Sequence, residues 1–154
     1  MTSPADPDQL QMVEALLDDW LAREIVENPT VADVARDVDG PRSWFVRLTG
    51  EQREVFTVRF HLGQRTLHYE TYFLPAPEEN QALVYEHLLR RNAKLYGASF
   101  QIGDEDALYL AGQIDNATIT EPELDRILGS MYAWTEQYFM PALKLAFASK
   151  FATE

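Results

Sequence analysis

Three consecutive runs of alternating apolar and polar residues fill the middle of the chain. They read SWFVRL, EVFTVRFHL and RTLHYETYFL, and they lie between Ser43 and Leu74. Such alternation is typical of a β-strand that buries only one face. The segment TGEQR predicts a turn before the second run, and Gly63-Gln64 predicts a two-residue hairpin before the third. The runs therefore predict antiparallel strands with one apolar face and one polar face.

The predicted hairpin divides the side chains of its two strands into two sets. The apolar set would pack into the core, and the polar set would face water or a partner. The apolar set is Phe56, Val58, Phe60, Leu62, Leu67, Tyr69 and Phe73, and the polar set is Thr57, Arg59, His61, Thr66, His68 and Glu70. From the polar set we select Arg59, His61, His68 and Glu70 as candidate partner-contact residues.

Residues 75–97, PAPEENQALVYEHLLRRNAKLYG, predict a helix between two groups of strands. Pro77 suits the first helical position, and Gly97 suits a left-handed stop. Acidic residues come first and basic residues last, as the helix dipole favours. At about 100° per residue, one broad apolar face is predicted. It contains Val84, Tyr85, Leu88, Leu89, Leu95 and Tyr96.

Two residues of this helix do not fit the pattern. Asn92 lies within the apolar face, where it could bond to the backbone of a neighbouring element or specify the register of a helix–helix or dimer contact. Leu83 lies on the opposite face among charged residues. It is the fifth candidate partner-contact residue, because an outward leucine can belong to an interaction patch.

The N-terminal segment predicts a helix with a defined start and end. Asp6 suits the N-cap and Pro7 the first helical position, and Pro29 disfavours continuation beyond Asn28. Apolar residues follow at helical spacing: Leu10, Val13, Leu16, Leu17, Trp20, Leu21 and Ile25. Residues 30–43 fit either a helical turn or a strand that turns at Gly40-Pro41, and we favour the strand.

The segments after Gly97 predict a second hairpin and a last helix. The runs ASFQI and ALYLAGQI flank GDED, and Phe100, Ile102, Leu108 and Leu110 supply their apolar positions. Thr120 and Glu123 form a capping box that starts a helix at residue 121, and Pro141 is expected to kink or break it. Three or four strands thus precede the central helix. We expect one α+β domain over residues 1–154, an antiparallel sheet with packed helices in the order α-β-β-β-α-β-β-α.

Composition excludes several classes of protein. With 46% hydrophobic and 12% aromatic residues, the chain is not disordered. The net charge is -12, with -8 in residues 1–39, +2 in residues 40–100 and -6 in residues 101–154. This charge makes nucleic acid and anionic membrane poor partners. No apolar run is long enough to span a membrane, and the polar, acidic N-terminus does not resemble a signal peptide, so we expect a cytoplasmic location.

No catalytic motif is evident, and we expect neither an enzyme nor a cofactor. The chain has no cysteine, which excludes disulfides, thiolate zinc sites and cysteine nucleophiles. Ser99, Ser130 and Ser149 have no histidine nearby in the sequence. His61 would be a diagonal neighbour of His68 across the hairpin, so His61, His68 and Glu70 could form a metal site, although ordinary polar residues fit this face better. The carboxylates of GDEDA fit a solvated hairpin tip better than a cation site.

Several motifs resemble those of the YbjN-domain family of bacterial sensory-transduction regulators, and in particular its actinobacterial cytoplasmic branch. They are R-T-L-x-Y-E-T-Y-F at 65–73, P-A-P-E-E-N at 75–80, L-L-R-R-N-A at 88–93, L-Y-G at 95–97, G-D-E-D-A at 103–107, Y-L-A-G at 109–112 and L-D-R-I-L-G at 124–129. The resemblance covers about half of the chain. It implies a fold similar to type III secretion chaperones, in a domain that often forms homodimers and binds protein segments. It implies no reaction, cofactor or catalytic residue.

The expected function is therefore non-enzymatic protein binding, chaperone-like or regulatory. The expected partner is a protein or a second copy in a homodimer, held by the polar strand face or the surface of the central helix. The alternative is a sensory domain that binds a small ligand or metal, through His61, His68 and Glu70 or in a pocket beneath the central helix.

Overall fold

The computed structural model describes residues 3–37 and 42–152. Within these ranges the chain forms three α-helices and six β-strands, with three short 3₁₀ turns between or after them. They follow the order α1 (Pro7–Glu27), β1 (Val31–Asp37), β2 (Ser43–Thr49), β3 (Val55–Leu62), β4 (Thr66–Leu74), α2 (Gln81–Asn92), β5 (Ser99–Ile102), β6 (Leu108–Asp115) and α3 (Glu121–Ala146). The α+β prediction is confirmed.

The strands form one antiparallel sheet in the order β1-β2-β3-β4-β6-β5. Four strands precede α2, one more than in the predicted order α-β-β-β-α-β-β-α. The additional strand is β1, which pairs with β2 and confirms the strand interpretation of the segment after Pro29. The predicted turn at Gly40-Pro41 lies outside the described residues.

The helix α1 begins and ends where its capping residues predict. The Asp6 carboxylate accepts a hydrogen bond from the Gln9 backbone N–H at 2.8 Å, and the Gln9 side chain accepts one from the Asp6 N–H at 2.9 Å. Asn28 is extended and ends the helix before Pro29. The buried Trp20 packs edge-on against Phe60 with ring centroids 5.7 Å apart, which places α1 on the apolar face of the sheet.

The helix α3 covers the same face of the sheet. It starts at the predicted cap, where the Thr120 hydroxyl accepts a hydrogen bond from the Glu123 N–H at 3.3 Å. Aromatic contacts join it to the sheet, through Tyr132 to Phe56 and through Phe139 to Phe73. The expected break at Pro141 is wrong, because the helix continues to Ala146. Ala142 and Ala146 are fully buried, so packing on the core holds the last turns in place.

The sheet is apolar on one face and open on the other. The seven predicted apolar residues of β3 and β4 are all buried, and the six residues of the predicted polar set are exposed or half-buried. We use the name open face for the alternate residues of β2, β3, β4 and β6 that point away from α1 and α3. Its central members are Phe45, Arg47, Thr57, Arg59, His61, His68, Glu70, Tyr72, Tyr109 and Gln113.

The turn between β3 and β4 differs by one residue from the prediction. Gly63 donates its N–H to the Thr66 carbonyl at 2.9 Å, so Gln64 and Arg65 form the two-residue turn. Leu62 consequently pairs with Leu67, and His61 lies directly opposite His68 rather than diagonal to it. The same residues still share each face, because the observed register shifts the partner of each residue by two positions, which is the repeat of a strand.

The helix α2 is shorter than predicted at both ends. Pro77 is not its first residue: the backbone N–H groups of Glu78 and Glu79 instead donate to the Ala146 carbonyl at the end of α3, at 3.1 and 2.9 Å. Asn80 is left-handed, with φ of 54°, and the helix starts at Gln81. It ends at Asn92, five residues before Gly97, although Gly97 has the expected left-handed backbone, with φ of 79°.

The apolar face of α2 is narrower than predicted. Val84 and Leu88 are buried, and Tyr85 and Leu95 are half-buried. Leu89 and Tyr96, which the pattern places on this apolar face, are exposed, with exposed fractions of 67% and 73%. Ile102, a predicted apolar position of β5, is also exposed, at 54%. Since α2 packs mainly against α3 and the edge strand β5, one side of this helix stays uncovered.

Asn92 takes the first of its two predicted roles. Its side-chain carbonyl accepts a hydrogen bond from the Phe100 N–H at 2.7 Å, and its amide donates to the Phe100 carbonyl at 3.2 Å. These are backbone groups of β5 on the side away from β6. Asn92 therefore closes the edge of the sheet at Phe100, which protects this edge against pairing with another strand.

No helix of the described chain combines the length and the apolar character that crossing a membrane requires.

Two glycines give a matched pair of expected stability effects. A Cβ atom on Gly112 would lie 2.0 Å from the Gly97 carbonyl oxygen and 2.7 Å from a ring carbon of Tyr69. Gly112→Ala should therefore lower the free energy of unfolding by about 1–3 kcal/mol through overpacking. Gly129 lies within α3 and has no atom within 4 Å of the corresponding position, so Gly129→Ala should raise stability by up to about 1 kcal/mol. Urea denaturation measures both, and equal effects of the two changes would contradict the assigned packing.

Candidate partner-binding surfaces

The open face brings together four of the five candidate contact residues. Arg59 lies opposite Glu70 and His61 opposite His68 on the neighbouring strands β3 and β4. All four side chains are half-buried. Arg59 Nη1 lies 3.7 Å from Glu70 Oε1, so the two charges partly compensate each other. The fifth residue, Leu83, is exposed on α2 as predicted, but it does not join this group.

Ser43 is a member of this cluster that sequence reasoning missed. Its side chain is 1% exposed, its Oγ lies 3.2 Å from His61 Nδ1, and it accepts a hydrogen bond from Arg59 Nη2 at 3.1 Å. Burial lowers the pKa of His61, and the nearby Arg59 and His68 lower it further. The signal was partly available in the sequence, because a hairpin closed by TGEQR places Ser43 opposite Arg59 on this face, whereas the observed loop at residues 50–54 places it opposite His61.

The histidines and carboxylates of the open face do not form a metal site. His61 contacts Ser43, and Glu70 lies beside Arg59, so the predicted His61, His68 and Glu70 ligand set is not assembled. No other group of three histidine or acidic residues in the described part of the chain is placed to hold a metal ion. The acidic residues of GDEDA lie on an exposed hairpin tip between β5 and β6.

Aromatic side chains extend the open face beyond these polar residues. Tyr72 and Tyr109 lie opposite each other on β4 and β6 and pack edge to face, with ring centroids 5.5 Å apart. Tyr72 is exposed, and Phe45 on β2 is half-buried. Aromatic residues and arginine are the residue types enriched in protein–protein interfaces.

A second surface is an apolar groove between α2 and β5. It has a volume of about 190 Å³ and is lined mainly by Tyr85, Leu88, Leu89, Phe100, Ile102 and Leu108. Leu89 and Ile102 are the most exposed of these. The groove corresponds to the pocket expected beneath the central helix. It is open to solvent because the outer side of α2 has no neighbour in the described structure.

A third surface is a polar cleft of about 450 Å³ between the end of α1 and the middle of α3. Glu24 and Asp125 lie in its wall. Burial raises the pKa of Glu24, and Asp125 raises it further, against the hydrogen bond from Asn28. The Trp20 indole donates to Asp125 Oδ1 at 2.8 Å, which makes this tryptophan a reporter of the cleft.

His87 on α2 should make stability depend on pH. Its Nε2 is buried without a hydrogen-bond partner in the described structure. Burial lowers the pKa of His87 below 6.5, and Arg91 lowers it further. The unfolded chain then binds the proton more readily, so stability is complete above pH 6.5 and is lost as the pH falls through 6.5 towards the folded pKa.

The variant His87→Gln tests this assignment. Urea denaturation of both proteins at a series of pH values should show a weaker loss of stability below pH 6.5 in the variant. The lowered pKa of His61 acts in the same direction and accounts for a remaining slope. An unchanged slope in His87→Gln would contradict the role of His87.

Two solved structures share this fold. A chain of the HopA1–SchA chaperone–effector complex superimposes with a TM-score of 0.57 and 16% identity, over 88% of this chain and 98% of that chain. A chain from the crystal structure of the Yersinia pestis type III secretion chaperone SycH, in complex with a stable fragment of YscM2, gives a TM-score of 0.51 and 16% identity, over 86% and 98%. At this identity the similarity shows the fold alone.

Sequence comparison identifies the family. The uncharacterized protein ML2442 of Mycobacterium leprae is 29% identical over 141 residues, which are 88% of this chain and 77% of the relative. The uncharacterized protein Rv0487 of Mycobacterium tuberculosis is 31% identical over 114 residues, 74% of this chain and 62% of the relative. Residues 10–142 match the YbjN family model, described as "Putative bacterial sensory transduction regulator". The chain therefore belongs to the YbjN family.

Proposed function

We propose that this chain is a protein-binding domain, without a reaction of its own, that holds a partner polypeptide on its open face. The observation that carries the proposal is the one-sided sheet: α1 and α3 cover one face and leave the other to solvent. The open face combines Tyr72, Tyr109 and Phe45 with charges of both signs. Aromatic residues and arginine suit contact with a polypeptide, and Glu70 beside Arg59 offsets part of the positive charge that a phosphate backbone would require.

The edges of the sheet favour contact through side chains rather than by addition of a strand. At β5, Asn92 occupies the outward backbone groups of Phe100. At β1, the Asp33 side chain accepts a hydrogen bond from the Val34 N–H at 2.9 Å, and the strand is bulged between Val31 and Asp33. Bulges, charges and capped backbone groups are means by which proteins prevent edge pairing. A partner is therefore expected to lie across the open face.

The similarity of fold to chains of the HopA1–SchA and SycH complexes supports the proposal by analogy. The first is titled a chaperone–effector complex and the second a chaperone bound to a fragment of YscM2. Fold alone does not transfer function, so the analogy adds to the open face and does not replace it.

We include self-association in the proposal, with the homodimer as the working form. Ten large hydrophobic residues are exposed in the described part of the chain, and two of them, Leu89 and Ile102, line the same groove between α2 and β5. Exposed apolar side chains concentrated in one region are typical of an interaction surface.

Affinity capture from the native organism tests the function. The tagged wild-type chain should retain one or more specific polypeptides, identified by mass spectrometry. The variant Tyr72→Ala/His68→Ala should lose them, whereas Arg23→Ala, an exposed change on α1, should keep them. Circular dichroism should show that both variants are folded. Equal recovery by all three proteins, or no recovery by the wild type, would contradict binding on the open face.

The cleft between α1 and α3 favours a second candidate, a sensory domain for a small organic cation. Its volume lies within the range of ligand sites, and its wall holds the Glu24–Asp125 pair. A panel of small amines should then raise the melting temperature of the wild type and quench or enhance Trp20 fluorescence. The variant Glu24→Gln should respond less. No response across the panel would remove this candidate.

A further inference from the structure

We propose that the polypeptide held on the open face inserts a basic side chain, an arginine or a lysine, between Tyr72 and Tyr109. We use the name aromatic corner for these two rings together with the carboxylates around them, which belong to Glu70, Asp104 and Glu105. The inference rests on the proposed binding of a polypeptide and names the chemistry of that partner.

The two tyrosine rings of the aromatic corner stand at right angles. The ring planes of Tyr72 and Tyr109 meet at 88°, with centroids 5.5 Å apart, and Tyr72 is 42% exposed. Perpendicular rings form two walls, so a group placed between them can contact the face of each. A guanidinium or ammonium within about 6 Å of such a face is attracted by the ring quadrupole.

The acidic tip between β5 and β6 lies against one of these rings. A Cβ atom on Gly103 would lie 2.5 Å from two ring carbons of Tyr109, so the backbone of the tip is in contact with the ring. The tip is closed by a hydrogen bond from the Gly103 N–H to the Ala107 carbonyl at 2.8 Å. It therefore holds the exposed side chains of Asp104 and Glu105 beside the aromatic corner.

The carboxylates of the aromatic corner keep their negative charge available to a ligand. Neither Asp104 nor Glu105 forms a salt bridge with another residue that the structure describes. Glu70 faces Arg59, but their charged atoms are 3.7 Å apart, which is too long for a hydrogen bond. Desolvation raises the pKa of Tyr109, and the negative charges of Glu70 and Asp104 raise it further.

Charge complementarity selects a basic side chain as the occupant of the aromatic corner. A guanidinium or ammonium can contact a ring face and pair with a carboxylate at the same time, whereas an acidic side chain would meet like charges. The six strands span about 24 Å across the sheet, a distance that about eight extended residues cross. One segment can therefore place a basic residue in the aromatic corner and lie across the remainder of the open face.

The first test is NMR of the isotope-labelled full chain with synthetic peptides. The probes are serine–glycine peptides of about eight residues, with arginine, glutamine or glutamate at two central alternate positions. NMR detects binding at a dissociation constant of about 1 mM, which suits a short peptide. The arginine peptide should shift the amide signals of Tyr72, Tyr109 and Glu105, and the other two should not. No shift at these residues with millimolar arginine peptide, or the same shifts with the glutamine peptide, would overturn the proposal.

The second test compares two variants with a control of matched charge. Asp104→Lys/Glu105→Lys should raise the dissociation constant of the arginine peptide at least about fivefold, because repulsion replaces attraction. Tyr72→Leu keeps an apolar side chain without the ring and should raise it at least about threefold. Asp8→Lys/Asp19→Lys makes the same change of net charge at exposed positions of α1 and should stay within about twofold of the wild type. Equal weakening by the two lysine variants, or unchanged binding by Tyr72→Leu, would overturn the assigned site.

The outcomes separate this inference from the proposed function. A chain that captures a polypeptide through its open face but does not bind the arginine peptide would refute the basic side chain and leave the function intact. Binding of the arginine peptide in the aromatic corner, with no polypeptide captured from the native organism, would refute the function and leave the site intact.

Discussion

Leu88→Ala should lower the free energy of unfolding by about 2–5 kcal/mol, the cost of a cavity in a packed core. Leu88 is 2% exposed and lies on the side of α2 that faces Phe100 and Leu108. Truncation removes three side-chain carbons, and the contacts of α2 with α3 and β5 keep the surrounding residues from closing the cavity. Urea denaturation at a fixed protein concentration measures the loss.

Glu86→Ala on the same helix is the control for this prediction. Glu86 pairs with Arg90 across one turn at 3.0 Å, and both side chains are largely exposed. Exposed pairs of this kind contribute about 0.3–0.5 kcal/mol, so the control should be nearly silent. If Leu88→Ala changed stability as little as Glu86→Ala, α2 would not pack on the sheet edge as described.

Asn92→Leu should lower the free energy of unfolding by about 2–4 kcal/mol, although leucine suits an apolar helix face better than asparagine. The change leaves both the N–H and the carbonyl of Phe100 without their partner, and Phe100 is buried. Each unsatisfied buried polar group costs about 1–3 kcal/mol.

Asn92→Asp separates the two hydrogen bonds. Aspartate can still accept from the Phe100 N–H, but it cannot donate to the Phe100 carbonyl. The free energy of unfolding that Asn92→Asp loses can be measured in the same denaturation experiment, and it should differ from the loss in Asn92→Leu. If Asn92→Leu were as stable as the wild type, Asn92 would not close the edge of β5.

Local patterns predicted the parts of the fold that local forces determine. Asp6 defines the start of α1 and Thr120 the start of α3, because each side chain accepts a hydrogen bond from a backbone N–H of its own helix. The faces of β3 and β4 follow from the two-residue repeat of a strand. The open face and four of its candidate contact residues were thus accessible from the sequence.

Contacts distant in the sequence account for what the patterns missed. The helix α2 starts at Gln81 rather than at the predicted Pro77, because the N–H groups of Glu78 and Glu79 donate to the Ala146 carbonyl. Leu89 is exposed because the helix packs on one side only, which no periodicity reveals. The turn between β3 and β4 is a local exception: the hydrogen bond from Gly63 to Thr66 sets its position, and the resulting register places His61 opposite His68.

The most direct test of partner binding on the open face is photo-crosslinking in the native organism. A photoreactive phenylalanine analogue replaces Tyr72, which is exposed on the open face, or Met12, which is exposed on α1. Irradiation should give a specific adduct with a second polypeptide from position 72 and none from position 12. No adduct at position 72, or the same adducts from both positions, would contradict the account.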